Sequence, residues 1–154
     1  MEVRFVEKPA FSVIGKQGSG APGGDWIRAL WDEANNSFGE VFPFIVKDRL
    51  GKAQVWGAMS DAEMNFSPWD ENGGLYLAGC EVRPDASAPE GWTKWDIPGF
   101  KYAVVEYTEG TYSAVFNKML TDYLPKEGFA LVGAVHEFYP PSGALELWFP
   151  VEKL

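Results

Sequence analysis

Glu146 is the residue whose surroundings in this sequence point most directly to chemistry. It is a lone carboxylate in an otherwise apolar run, Leu145-Glu146-Leu147-Trp148-Phe149-Pro150. Side chains of an extended strand alternate between faces, so Glu146 and Trp148 share one face and Leu145, Leu147 and Phe149 the other. The apolar set suits packing against helices, which turns Glu146 and Trp148 away from them, into a groove. A carboxylate among aromatic rings is costly to desolvate, so its pKa tends to rise. A delocalised organic cation relieves that cost, and the ring faces add cation–π attraction. Facing a neutral ligand, the same group could exchange a proton as general acid or base. An edge-strand glutamate in water is the ordinary alternative.

Other chemistries find less support. His136 is the sole histidine and Cys80 the sole cysteine, so neither a Cys/His metal cluster nor an intrachain disulfide can form. The acids of Asp61-Ala62-Glu63 read as a solvated loop rather than a metal site, and neither a metal nor a cofactor is expected. No GxSxG nucleophile elbow is present. His136, in a predicted strand, reads as a hydrogen-bonded structural residue, and Cys80 as an inert buried thiol. Gly18-Ser19-Gly20-Ala21-Pro22-Gly23 fits the GxGxxG pattern between a strand and a helix. However, Pro22 removes a backbone donor and no parallel strand with a terminal acid follows, so the segment reads as a flexible connector.

Composition narrows the partners. Thirteen basic residues against 22 acidic ones give a net charge of −9. No basic stripe suited to phosphates occurs, so direct nucleic-acid binding is not expected, whereas an acidic field concentrates cations. Seven Trp, six Tyr and eleven Phe exceed what a core of this size needs, leaving some for a ligand surface. The start of the chain has no apolar signal core, and no apolar run is long enough to span a bilayer. A cytoplasmic protein without a membrane partner is the expectation.

The elements that must position these residues follow from periodicity. Residues 3–15 read as a strand, and Asp25 can cap a helix carrying Ile27, Leu30, Trp31, Ala34 and Phe38, with Gly39 as its stop. Residues 54–60 and 75–82 read as antiparallel strands separated by a polar insert. Residues 83–92 form a Pro-rich connector, and a strand follows Ile97-Pro98-Gly99. Thr111 can cap an amphipathic helix that ends at Pro125 and Gly128. Residues 131–139 and 145–151 then close the chain as two strands.

The order is βαββ followed by βαββ. VWGAMS at 55–60 resembles LVGAVH at 131–136, and Leu75-Tyr76-Leu77 falls on Leu145-Glu146-Leu147. The predicted fold is α+β: one domain over 1–154 with repeat halves at about 1–84 and 96–154. An antiparallel sheet, two helices and a pseudo-two-fold axis would leave a central cleft in which Tyr76 faces Glu146.

Several segments together resemble the GyrI-like effector-binding domains, the bacterial transcription activator effector-binding family. They are Ile97-Pro98-Gly99-Phe100-Lys101-Tyr102-Ala103-Val104, the helix end Tyr123-Leu124-Pro125 with Gly128-Phe129, the strand with Tyr76, Gly79 and Val82, and Glu146-Leu147-Trp148-Phe149-Pro150-Val151. The resemblance covers about 5–151. It implies two βαββ modules of SHS2 type and a cleft for lipophilic, often cationic compounds, with Glu146 as the buried acidic contact. It also implies a stand-alone member, without the DNA-binding domain of the multidrug-sensing regulators.

Three functions then compete. The favoured one is a small-molecule binding module for drug sensing or sequestration, taking lipophilic, cationic aromatic ligands. Its ligand-binding residues would be Glu146, Tyr76, Trp148, Trp31 and Phe116, with Trp92 and Trp95 at the rim and Trp69 in the 61–74 insert, a candidate lid. The second is a hydrolase of cyclopropane-containing electrophilic natural products, with Glu146 as acid/base and Tyr76 beside it. The third is an interaction inhibitor of the gyrase-inhibitor type, which leaves a protein partner or a homodimer open.

Overall fold

The computed structural model describes residues 1–154. Eight strands form one antiparallel sheet: β1 (Val3–Lys8), β2 (Phe11–Gly20), β3 (Val55–Ser60), β4 (Gly74–Val82), β5 (Thr93–Ile97), β6 (Phe100–Tyr107), β7 (His136–Tyr139) and β8 (Leu145–Lys153). Their order is β1-β6-β8-β7-β3-β4-β2-β5. Counting outward from the β7–β3 seam, each strand of one half has a counterpart in the other, in the predicted α+β arrangement. Helix α1 (Asp25–Ser37) follows β2, and α2 (Tyr112–Lys118) follows β6. No helix is long and apolar enough to cross a membrane.

Strand alternation gives the sheet two buried faces. On the helix face, Ile14, Tyr76 and Ala78 pack with α1, and Ala103, Val105, Leu147 and Phe149 pack with α2. The other face gathers Phe11, Trp56, Trp95, Phe100, Tyr102 and Trp148 from both wings of the sheet. The wings meet because the connectors after β1 and after β5 lie against each other: a side chain on Gly99 would press on the Ala10 backbone nitrogen. The sheet curls over this aromatic cluster and buries it without a second layer.

Several boundaries differ from the sequence expectation. The strand predicted over 3–15 is two strands, broken at Pro9, which has no N–H to give. β2 runs on through the Gly-rich segment to Gly20, paired with β4. Gly18 and Gly20 belong to that strand because Leu30 and Trp26 of α1 press onto them, leaving no room for a Cβ. β5 follows the expected 83–92 connector, where no strand was expected, and pairs only with β2. Residues 131–135 leave the sheet instead of extending β7. After α2, the chain continues through a π turn at Met119–Tyr123 and a final turn at Leu124–Lys126; Pro125 cannot donate a regular helical bond there.

Candidate functional site

Glu137, not Glu146, is the carboxylate that the fold places on the helix face beneath a cavity. The register sets Gly57 opposite Glu137 on one side and opposite Ala78 on the other, so the three share a row and a face. Tyr76 lies two residues from Ala78 on that same face. With no side chain on Gly57, the Tyr76 hydroxyl reaches across β3 and donates to Glu137 Oε1 at 2.5 Å. Tyr139, two residues along β7, donates to the same oxygen at 2.7 Å. Tyr112, from the first turn of α2, lines the same cavity beside this carboxylate. Trp31 of α1 donates its indole N–H to the Tyr76 oxygen at 2.9 Å and packs edge-on against Tyr139.

Two phenols therefore hold one buried carboxylate, with a third beside them. Burial pushes the Glu137 pKa above its ordinary value of 4.5, and the phenol hydrogen bonds oppose that rise. Burial and the facing carboxylate together push the Tyr76 phenol well up. No lysine or arginine pairs with Glu137. The contrast with the other two buried glutamates is direct: Glu81 is 3.1 Å from Lys8, and Glu146 is 3.0 Å from Arg4.

Above Glu137 lies a cavity of about 460 Å³ between α1 and α2, within the usual size range of small-molecule sites. Ile27 closes it on the α1 side, Phe116 and Leu120 on the α2 side, and Met59 and Val135 at the floor. Pro68, Trp69 and Asp70 of the insert stand at its mouth. Trp69 is anchored by its indole N–H, shared between the Ser60 and Leu75 carbonyls at 3.0 and 3.1 Å, and it stacks on Trp26. The insert is further tied by Asp61, which accepts the backbone N–H groups of Asn65 and Ser67. These bonds lower the Asp61 pKa, against the opposing pull of desolvation. A wider surface groove of about 1200 Å³ runs beside β1 and α2, but its charges, among them Arg4, Glu106 and Lys118, are exposed and of mixed sign.

The sequence-derived residues divide between the two faces. Tyr76 is at the site, Phe116 and Trp69 line the cavity, and Trp31 orients Tyr76. Glu146 and Trp148 do point away from the helices as alternation requires, but that face is filled by the curled sheet. Glu146 accepts the Trp148 indole N–H at 3.0 Å and two contacts from Arg4. Tyr76 and Glu146 therefore lie on opposite faces and do not meet across a cleft. The alignment that paired them matched residues of opposite faces, as a register slip of an odd number of residues does. Trp95 is sealed in the aromatic cluster, with its N–H on Gln17. Trp92 is buried beneath Lys16, whose ammonium lies 4.2 Å from its ring. Neither lines the cavity.

Glu137, Tyr139, Tyr112 and Trp26 were not singled out from the sequence. Glu137 is, like Glu146, an acid in a strand that carries aromatic residues, and only the register shows which of the two faces the helices.

An antiparallel sheet carrying two helices over a concave, largely apolar cavity defines a small-molecule binding domain. The comparisons with known proteins agree. Residues 1–152 match the family model of the GyrI-like small molecule binding domain, and the chain belongs to that family. It is 28% identical over 166 residues to the transcriptional regulator BrlR of Pseudomonas aeruginosa, covering 98% of this chain. The chain spans 56% of that regulator's length. Among solved structures, it resembles SAV2435 bound to tetraphenylphosphonium, with 17% identity, a TM-score of 0.65, and 99% of this chain and 94% of that one covered. It also resembles EcmrR in its complex with DNA, with 17% identity, a TM-score of 0.67, and 99% and 58% covered.

Proposed function

We propose that the cavity between α1 and α2 takes lipophilic aromatic cations, with Glu137 as their counter-charge, and that the chain serves to sense or sequester such compounds. The observation that carries this reading is the difference among the three buried glutamates: two have a cationic side chain beside them, and Glu137 has only phenols. Phenols stabilise a carboxylate without neutralising it, so an ionised Glu137 leaves a charge for a ligand to balance. A bulky delocalised cation carries little hydration to lose and meets aromatic and aliphatic walls. Phe116, Trp69 and Tyr112 are the proposed wall contacts, Tyr76 and Trp31 hold the carboxylate, and the 61–74 insert is the proposed lid. The ligand of SAV2435, tetraphenylphosphonium, belongs to this chemical class. Titrating the tryptophan fluorescence with tetraphenylphosphonium and with a neutral aryl compound of equal size tests the reading. The cation should bind at least about tenfold more tightly, a difference near 1.4 kcal/mol. Equal affinities would remove the role of the charge.

A second reading is favoured by the upward shift that burial gives the Glu137 pKa. A carboxyl group beside the Tyr76 hydroxyl could serve as acid and base in adding water across a strained electrophilic ring. Incubation with a cyclopropane-bearing electrophile would then yield a ring-opened product one water heavier. Recovery of unchanged compound leaves binding alone.

A further inference from the structure

We infer that His136 is a positioning residue for the cavity: its imidazole replaces a sheet carbonyl, so that β7 can leave β3 and make room for a ligand. The inference rests on reading the cavity as a ligand site. The β3–β7 ladder ends at Gly57↔Glu137. Continued in register, it would set Met59 opposite Val135. Instead the Met59 backbone N–H donates to His136 Nδ1 at 3.1 Å. The chain before His136 goes elsewhere: Ala134 N donates to the Phe66 carbonyl at 2.8 Å, and Val132 N to the Pro150 carbonyl at 3.0 Å.

That departure opens space where the cavity lies. Met59, Leu131, Val135 and Glu137 all line it, on both sides of the interrupted ladder. A buried backbone N–H left unpaired is costly, so the seam can open only if Met59 finds another acceptor. The His136 ring supplies one, and its surroundings suit it to that single task. Its Nδ1 accepts, so the proton of the neutral ring resides on Nε2. Nε2 and the hydroxyl of Tyr102, whose ring centroid is 6.2 Å away, are both buried without a hydrogen-bond partner. With Nε2 unpaired, Nδ1 is the one ring atom through which His136 bonds to the fold. Burial also drives its pKa down to about 3, so Nδ1 stays an acceptor at neutral pH.

The test uses the full chain, tetraphenylphosphonium as probe, and two substitutions. Asn can present Oδ1 where Nδ1 stood, whereas Leu cannot accept a hydrogen bond. His136→Leu should weaken probe binding by about tenfold or more and speed deuterium exchange at the Met59 amide. His136→Asn should restore affinity to within about threefold and keep that amide protected. Equal affinity in both variants and the unsubstituted chain, or equal loss in both, overturns the positioning role. If the unsubstituted chain fails to bind the probe, the ligand reading itself falls, an outcome seen before any variant is made. On the unsubstituted protein, nitrogen NMR should show His136 protonated at Nε2 only, with a hydrogen-bond coupling from the Met59 amide to Nδ1. A proton on Nδ1 overturns the proposal without need of a variant.

Discussion

The Tyr76 hydroxyl meets the Glu137 carboxylate at 2.5 Å across a full strand, over the bare backbone of Gly57. Tyr76 belongs to β4 and Glu137 to β7, so this bond joins the two halves of the sheet on its helix face. It makes the absence of a side chain at residue 57 a condition of the site rather than a local convenience. Gly57→Ala would place a methyl group onto both the Tyr76 oxygen and Glu137 Oε1. Both groups are buried and cannot swing into solvent. Expected are a loss of about 2 kcal/mol in stability, typical of overpacking, and a loss of cation binding of about tenfold or more. Denaturant unfolding and fluorescence titration of the same sample check the two.

Tyr76→Phe keeps the ring and removes the hydroxyl. Glu137 then loses one of its phenol donors, and the Trp31 indole N–H loses its acceptor. Stability should fall by about 1–3 kcal/mol, in the range for leaving buried polar groups short of partners. Affinity for a cation should fall by several-fold, because the remaining phenols hold the carboxylate less firmly. Calorimetric titration with tetraphenylphosphonium reads the second effect.

Much of the fold is legible in the sequence, because the apolar stripes of α1 and α2 have a clear period and β3, β4, β6 and β8 are short, largely apolar runs. The choice of carboxylate is not. Glu137 and Glu146 are each an acid in a strand that carries aromatic residues, and local alternation says only which residues share a face. Which face meets the helices depends on register across β7, β3 and β4, fixed by pairs such as Gly57↔Glu137 that lie 80 residues apart in the chain. Arg4 likewise comes to Glu146 only because β1 joins β6 at the far edge of the sheet. The turn-like glycines of 18–23 mislead for a different reason: Gly18 and Gly20 are small to admit Leu30 and Trp26.

Glu137 makes binding and stability respond to pH in opposite senses, and His136 adds a loss of stability at low pH. Burial raises the Glu137 pKa above 4.5, and a cation needs its ionised form. Affinity should therefore rise as pH climbs through the raised value and level off above it. Stability behaves otherwise, since the unfolded chain releases that proton from about pH 4.5 upward while the folded chain retains it. The contribution of Glu137 is complete below 4.5 and is lost as pH rises through its folded value. His136 runs the other way, its folded pKa being lowered from 6.5 to about 3. The unfolded chain gains that proton below 6.5, so stability is lost as pH falls from there toward 3. Glu137→Gln should abolish the loss at high pH and keep the loss at low pH, as read from urea midpoints between pH 4 and 9.

Trp69 holds the insert by two carbonyl bonds, lines the cavity and stacks on Trp26. Trp69→Ala should loosen the insert while leaving the Glu137 network in place. A bound cation should then dissociate several-fold faster with little change in its association rate, as expected when a closing segment is weakened. Stopped-flow fluorescence of Trp26 and Trp31 during displacement measures both rates.

The central claim is that Glu137, rather than Glu146, supplies the charge for a ligand. Measuring the dissociation constant of tetraphenylphosphonium for Glu137→Gln and Glu146→Gln side by side tests it most directly. Glu137→Gln should weaken binding by about tenfold or more. Glu146→Gln, which alters only the contacts to Arg4 and Trp148 on the opposite face, should leave it unchanged. Unaltered affinity in the first variant, with a loss in the second, would contradict the account.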